Sequence, residues 1–431
     1  MDYFNYRNGR LFAEELDVHT IAEQLGTPLY VYSKATFLDH LTKLQKAYAE
    51  LDTTVCYSVK ACGNINILRL LARAGSGFDI VSGGELYRAL AAGADPAKIV
   101  YAGVGKTREE IEYALRENIY FFNVESRAEL ALISEVAARM GATCRVAIRL
   151  NPDVDAGAHE KTTTGKGNTK FGIGASEAAL LVQEAADWPG VAVRGIHLHL
   201  GSPIYETAPY EAALEKVVAL IVRLRERACQ IDHVNLGGGY AISYTGGEVI
   251  EPSDYARAVS SYLENLDCAV IIEPGRYISG SSALLLTRVI YRKQNDYGKS
   301  FLICDAAMND LLRPTLYDAF HRIWPVQSKD GMPAVIEPGE REIQGFTTEL
   351  VDVVGPVCET GDYLARQRAL PPARRGDALA VFNAGAYGFT MSSNYNSRPR
   401  PAEVLVDGSG HRLIRPRQSW ADLIEPERTC L

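Results

Sequence analysis

Between residues 53 and 274 short apolar runs alternate with longer stretches of helical period. The runs are TTVCYSV, GFDIV, KIVYAGV, IYFFNV, CRVAIRL, VAVRGIHLHL, IDHVNL and AVIIEP. They are rich in β-branched and aromatic residues and too short for helices, so they predict strands. Between them stand NINILRLLARAG, GGELYRALAAG, TREEIEYALREN, SRAELALISEVAARMG and the long amphipathic YEAALEKVVALIVRLRERA. Several of these open after Ser, Thr, Asn or Gly and close on Gly or Asn, as helix boundaries do. Eight strands alternating with helices predict an α/β fold, a (β/α)₈ TIM-type barrel, with an open doubly wound sheet as the alternative.

After about residue 285 the pattern changes. ALLLTRVIYRKQ, KSFLICDA, REIQGFTTELVDVVG, DALAVFNAGAY and AEVLVDG read as strands with few helices between them, punctuated by Pro and Gly. The N-terminal RLFAEEL and PLYVYS are also strand-like. The expected organisation is a barrel over residues 36–285 and an all-β domain built from 286–431 together with 1–35. The loop NPDVDAGAHEKTTTGKGNTKFGIG, 151–174, is long, polar and Gly/Thr-rich. Long loops in compact domains are usually functional, and this one is expected to be mobile without ligand.

Composition narrows the function classes. The 431 residues are 47% hydrophobic and 23% charged, an ordinary globular balance. A net charge of −8 argues against a nucleic-acid partner. The opening MDYFNYRNGRLF lacks the basic-then-apolar order of a secretory signal. No uninterrupted apolar run approaches the roughly 20 residues of a membrane span, so no membrane partner is expected. Eight cysteines without a CxxC pair argue against a disulfide framework or zinc site and for a reducing cytoplasm.

In a (β/α)₈ barrel, chemistry gathers at the C-terminal ends of the strands. Strand one ends in Lys60, and strand two in Asp79, Ser82 and Glu85. Strand five carries Arg149 and Asn151, and strand six His197, His199 and Ser202. Strand seven runs into Gly237, Gly238 and Gly239, and strand eight into Glu273, Pro274, Gly275 and Arg276. Each has a plain structural reading: a surface lysine, a packed histidine, a tight glycine turn, a local ion pair. His197 and His199 share a strand face and could also bind metal, but no acidic cluster completes such a site. GVGKT at 103–107 does not fit G-x-x-x-x-G-K-[ST] and reads as a strand-to-helix turn capped by Thr107. Taken together, an amine, a phosphate cradle, an imidazole and a carboxylate around one pocket suit pyridoxal phosphate. A lysine amine forms a Schiff base with its aldehyde, and a carboxylate keeps its ring nitrogen protonated so that the ring serves as an electron sink.

These residues carry a resemblance that spans nearly the whole chain. YSVKA, GFDIVSGGEL, GVGKT, FNVES, TGKGNTKFGI, HLHLGS, NLGGGY, EPGR, DAAMNDLLRPTLYDA, VVGPVCETGD and GAYGFTMSSNYNSRPRP occur in order. The chain resembles the fold-type III pyridoxal-phosphate decarboxylases, most closely the diaminopimelate decarboxylases. The resemblance implies a barrel plus a β-domain, pyridoxal 5′-phosphate as cofactor, no metal, and conversion of meso-2,6-diaminopimelate to L-lysine and carbon dioxide, the last step of lysine biosynthesis. It implies that Lys60 holds the cofactor, His199 stacks on its ring and Glu273 meets the ring nitrogen. Ser202, Gly237, Gly238, Gly239 and Arg276 would serve the phosphate, and Asp79, Gly275 and Tyr387 would complete the cofactor site. Arg149, Arg276, Arg313, Tyr317 and Tyr387 would hold the substrate. Cys358 would donate the proton, and Glu359 would recognise the amino group. In the family the last two reach in from the partner subunit, which implies a homodimer with shared active sites. The chain has Ser58, Cys62, Pro203 and Ala307 where the family more often has Ala, Asn, Gln and Gly. Rival readings are the same chemistry on ornithine, arginine or a carrier-bound amino acid, a non-catalytic homologue that binds a partner protein, and a metal-dependent barrel hydrolase using His197 and His199.

Overall fold

The computed structural model describes residues 2–157, 164–167, 169–428 and 430. The chain falls into two compact units. One comprises Asp39–Ala241 and Val249–Tyr277; the other takes the chain up to Leu38, Ile242–Glu248 and everything from Ile278.

The first unit is a closed barrel of eight parallel strands. They are β1 (Thr53–Ser58), β2 (Gly77–Ile80), β3 (Ile99–Tyr101), β4 (Phe121–Val124), β5 (Cys144–Arg149), β6 (Val191–His197), β7 (His233–Asn235) and β8 (Ala269–Ile272). They pair in chain order, and Ile272 of β8 opposite Val55 of β1 closes the ring. Cys56, Val100, Phe121, Ala147 and Ile271, from five of the strands, form one buried apolar cluster. Side-chain packing of this kind fills a small barrel and leaves only its rim open for chemistry. Gly77 and Gly195 keep the layers close. A Cβ on Gly77 would stand 3.0 Å from the Cys56 sulfur, and one on Gly195 would stand 3.1 Å from the Ala147 methyl.

The helices start where their caps lie. Ser82, Thr107 and Ser126 each accept the N–H three residues on. Thr107 and Glu110 form a reciprocal capping box, so GVGKT is the expected capped turn. Its lysine points inward: Lys106 Nζ donates to Gly103 O at 2.8 Å, Asn123 O at 2.7 Å and Glu129 Oε1 at 2.5 Å. The helix Arg127–Met140 buries Leu130, Ile133, Val136 and Ala137 at helical spacing and ends on Gly141 in the left-handed region.

The second unit is built on the long strand Ala283–Gln294. Its first half pairs antiparallel with Leu29–Ser33 and Ala378–Val381; its second half pairs with Ser300–Cys304 after a register shift between Val289 and Tyr291. Ala402–Asp407 extends the sheet parallel to Leu29–Ser33, and Glu349–Val354 extends it parallel to Ser300–Cys304. Phe4–Arg7, Arg10–Ala13 and Leu16–Asp17 form a small sheet of their own. Of REIQGFTTELVDVVG only Glu349–Val354 is a strand. Its antiparallel partner, Tyr363–Leu370, is poorly marked in the sequence. Gln367 there stands at φ +45 and its N–H donates to Asp352 Oδ1, so a bulge breaks the two-residue alternation. No helix among the described residues is long and apolar enough to cross a membrane. The expected mobility of 151–174 falls partly on 158–163 and 168, which lie outside the described residues.

Candidate active site

At the C-terminal rim of the barrel the short segment after β1 carries Lys60 two residues beyond the strand. Its Nζ lies 2.5 Å from Asp79 Oδ2 at the end of β2. The lysine side chain is one-third exposed and the aspartate fully buried. The Ser58 hydroxyl faces the same Asp79 oxygen at 2.7 Å and the Glu273 carbonyl at 3.0 Å. Asp79 Oδ1 is buried without a hydrogen-bond partner. Burial, reinforced by the nearby Glu273 charge, holds the Asp79 carboxyl above its usual range despite the Lys60 ammonium.

Beside β1 on its other flank Glu273, 4% exposed, follows β8. Its Oε1 accepts from Asn123 Nδ2 at 2.8 Å and Asn235 Nδ2 at 2.6 Å, from the ends of β4 and β7. Its Oε2 lies 3.3 Å from His197 Nε2, without the geometry of a hydrogen bond. Burial alone would push this carboxyl up; the His197 ring and the Lys60 ammonium outweigh burial and hold it well below the ordinary range. Two buried carboxyls of one site are thus driven apart. Asp79 is poised to take a proton, while Glu273 stays anionic, as a partner for a protonated ring nitrogen must.

His199 lies just beyond β6. Burial first, then the Arg149 and Lys60 charges, hold its pKa well below the usual value, so the ring is neutral near pH 7. Gly238 N–H donates to its Nδ1 at 3.1 Å, which leaves the ring proton on Nε2. The glycines after β7 make the close approach possible. Gly237 and Gly239 stand at φ +68 and +119, where a side chain would be strained. A Cβ on Gly238 would collide with the Glu273 carbonyl, and one on Gly239 would meet the Tyr210 hydroxyl at 2.7 Å. Beside this loop Arg276, 6% exposed, donates from Nε to Ser202 Oγ at 3.1 Å. A Cβ on Gly275 would press on Ser58 and Ala61 at 3.0 and 3.2 Å, so that glycine lets the loop after β8 pack on the Lys60 segment.

The geometry thus gathers Lys60, Asp79, His199, Ser202, Gly237–Gly239, Glu273, Gly275 and Arg276 on one unit. The donor set fits pyridoxal phosphate: an amine, a persistently anionic carboxylate, a neutral imidazole, and a cradle that a Cβ would fill beside an arginine. Arg149, expected among the substrate residues, closes β5. Its Nη1 pairs with Glu125 Oε1 at 2.5 Å with both side chains buried, and its guanidinium packs on the Phe171 ring. Three residues escaped the rim reading: Asn123, Asn235 and Glu125. The signal for the two asparagines was present, since FFNV and HVNL each place one amide inside an apolar run. An amide there is costly unless it is bonded.

The remaining expected residues stand on the β unit. Arg313, 6% exposed, donates from Nη1 to His321 Nε2 at 2.9 Å, and its guanidinium lies 4.8 Å from the Tyr244 ring centre. The His321 Nδ1 faces Phe382 O at 2.8 Å, so Nδ1 bears the proton and Nε2 accepts. Tyr317 closes the helix Arg313–Tyr317. Cys358 is exposed, with its backbone N–H on Asn396 Oδ1 at 2.9 Å, and Glu359 Oε2 accepts from the Tyr395 hydroxyl at 2.9 Å. Tyr387 stands at φ +57, an uncommon conformation for a tyrosine.

The chain is similar to known proteins over nearly its whole length. The family described as pyridoxal-dependent decarboxylase, pyridoxal binding domain, matches residues 34–280. A diaminopimelate decarboxylase of Aquifex aeolicus is 43% identical over 98% of this chain and 97% of its own length. That of Vibrio cholerae is 45% identical over 98% of each chain. The crystal structure of Helicobacter pylori diaminopimelate decarboxylase complexed with L-lysine superposes with a TM-score of 0.89 at 37% identity, covering 96% of this chain and all of that one. The chain belongs to the diaminopimelate decarboxylase family of pyridoxal-dependent decarboxylases.

Proposed function

We propose that the protein decarboxylates meso-2,6-diaminopimelate to L-lysine and carbon dioxide, with pyridoxal 5′-phosphate held at Lys60. The observation that carries the reading is the pair of opposed carboxyls at one barrel rim: Asp79 on the Lys60 amine, and Glu273 anionic between Asn123, Asn235 and His197. Bound pyridoxal phosphate supplies the electron sink that lets a carbon–carboxylate bond break. Only a neutral amine attacks a carbonyl, and Asp79 Oδ2 is placed to take the proton from Lys60 Nζ. Glu273, held anionic, would keep a proton on the ring nitrogen of the bound cofactor. His199 would present a neutral ring face, Ser202, Gly237–Gly239 and Arg276 would hold the phosphate, and Gly275 would complete the cofactor site. Tyr387 would serve cofactor and substrate.

The substrate assignment draws support from the arginines and from relatives that bear the name diaminopimelate decarboxylase over their full length. A guanidinium gives a planar fork for the carboxylate at the far end of diaminopimelate, a group that ornithine, arginine and lysine lack there. Arg276, Arg313 and Tyr317 take that end. Arg149, braced by Glu125, would join them at the substrate. The exposed Cys358 thiol, from a second copy of the chain, supplies the proton that replaces the lost carboxylate, and Glu359 beside it attracts the substrate ammonium. The working unit is therefore a homodimer, in the cytoplasm.

The test is product analysis. Purified protein with added cofactor should release carbon dioxide and L-lysine from meso-diaminopimelate far faster than carbon dioxide from ornithine or arginine. Equal or reversed rates would overturn the substrate assignment. Activity that survives chelation and dies in Lys60→Ala would exclude metal-assisted hydrolysis.

A further inference from the structure

Five of the six backbone polar groups of the Gly237–Gly239 loop have a partner. Gly237 N–H donates to Asn235 Oδ1 at 2.9 Å, and Gly237 O accepts from Glu273 N at 2.8 Å. Gly238 N–H donates to His199 Nδ1 at 3.1 Å, and Gly238 O accepts from the Tyr210 hydroxyl at 2.5 Å. Gly239 O accepts from Ile204 N at 2.8 Å. One group remains: the Gly239 N–H enters none of the hydrogen bonds among the described residues. Buried backbone N–H groups are nearly always paired, so this one points to a ligand.

Gly238 O and Gly239 N–H belong to one peptide plane and point in opposite directions across it. A peptide between two glycines meets little steric resistance to turning over, because neither residue has a Cβ. A turned peptide would aim a carbonyl, and not an N–H, at an anion. Tyr210 opposes this. Its hydroxyl clamps the carbonyl side and polarises the N–H on the other.

Behind Tyr210 stands a buried cluster of aromatic rings. Tyr210, Tyr240 and Tyr255 lie with centroids 5.0 to 6.4 Å apart. Tyr48 bonds to Tyr240 through paired hydroxyls at 2.7 Å. The Tyr255 hydroxyl donates to Ile204 O, on the residue whose N–H holds Gly239 O. This packing leaves the Tyr210 hydroxyl little freedom to leave the loop.

We infer that Tyr210 is a positioning residue of the phosphate site: it locks the Gly238–Gly239 peptide so that the Gly239 N–H faces the cofactor phosphate. The inference rests on the cofactor reading above. Its test compares pyridoxal 5′-phosphate with pyridoxal, which lacks the phosphate, by equilibrium binding to cofactor-free protein, with melting temperatures recorded alongside. Wild type should bind the phosphorylated form far more tightly; if it binds neither, the cofactor reading itself fails. Tyr210→Phe deletes one hydroxyl and keeps the ring. It should lose about tenfold in affinity for pyridoxal phosphate with affinity for pyridoxal unchanged, the loss expected of a charge-assisted hydrogen bond. Tyr48→Phe disturbs the same cluster away from the glycine peptide and should leave the ratio of the two affinities at the wild-type value. Tyr255→Phe, one link further from the peptide, should lower the ratio by a smaller factor, and it carries the test if Tyr210→Phe does not fold. An unchanged ratio in the folded variant that carries the test, or an equal fall in Tyr48→Phe, would overturn the lock.

Discussion

Lys106→Met would separate the two readings of GVGKT. The amine it removes is almost wholly buried, at 1% side-chain exposure, and serves Glu129, Gly103 O and Asn123 O together. Breaking a buried pair from one side leaves an uncompensated charge and costs about 3–5 kcal/mol. Two orphaned carbonyls place this variant toward the upper end. At about 2–4 °C per kcal/mol for a domain of this class, the melting point should fall by about 6–20 °C. The loss also has a pH signature. Burial already raises the Glu129 carboxyl, against the pull of Lys106. Without that pull it rises further. A carboxyl whose folded pKa exceeds its unfolded value binds its proton more tightly in the folded state, so the variant loses stability as pH climbs from about 4.5 through the folded value. Its deficit against wild type should therefore be smaller at pH 5 than at pH 8. Melting of the cofactor-free protein, followed by circular dichroism at both pH values, measures this. Lys106→Met/Glu129→Gln should recover part of the loss, because the stranded charge is gone. A melting point within about 2 °C of wild type, combined with a selective loss of phosphate affinity, would refute the structural role and restore GVGKT as a phosphate loop.

Glu273→Gln keeps the shape and the two amide hydrogen bonds but removes the charge. It should bind cofactor yet lower kcat by about 10²–10³-fold, as loss of one preorganised electrostatic partner does, and near-normal turnover would contradict the ring-nitrogen role. Arg313→Lys replaces a planar fork by a point charge, so KM for meso-diaminopimelate should rise about tenfold or more with a smaller change in kcat. An unaltered KM would place the distal carboxylate elsewhere. Cys358→Ser should reduce kcat by about 10²-fold with the cofactor spectrum intact, since a hydroxyl is a much weaker acid; full activity would remove the thiol from proton donation. Glu85 accepts from Val81 N–H at 2.7 Å, and burial lifts its carboxyl to about 7. A raised folded value means that its contribution is present at low pH and lost as pH rises toward 7. Glu85→Gln should flatten the fall in melting temperature between about pH 4.5 and 7, and an unchanged profile would show that another group titrates there.

Local patterning carried the barrel because each strand and helix announces itself within a dozen residues. The eight apolar runs became β1 to β8, and Thr107 capped the helix that follows β3, as its spacing implied. Rim residues were legible for the same reason, since polar side chains where apolar strands stop are conspicuous. Tyr363–Leu370 was not, because a bulge erases its alternation. Which polar groups bond to each other was hidden too. Nothing in IYFFNV or IDHVNL says that Asn123 and Asn235 close on one oxygen of Glu273.

The sequence by itself determined the two kinds of texture, the strand and helix positions and, through motifs in order, the family and its chemistry. It placed Lys60 at a rim and offered it as an amine. Only the tertiary structure decided what state that rim is in. Asp79 meets Lys60, Arg149 turns to Glu125, His199 accepts the Gly238 N–H at Nδ1, and Tyr210 holds a peptide 28 residues away in sequence. These are consequences of burial and of contacts between strands distant along the chain. Charge, tautomer and peptide orientation respond to neighbours in space, and a linear pattern does not record them.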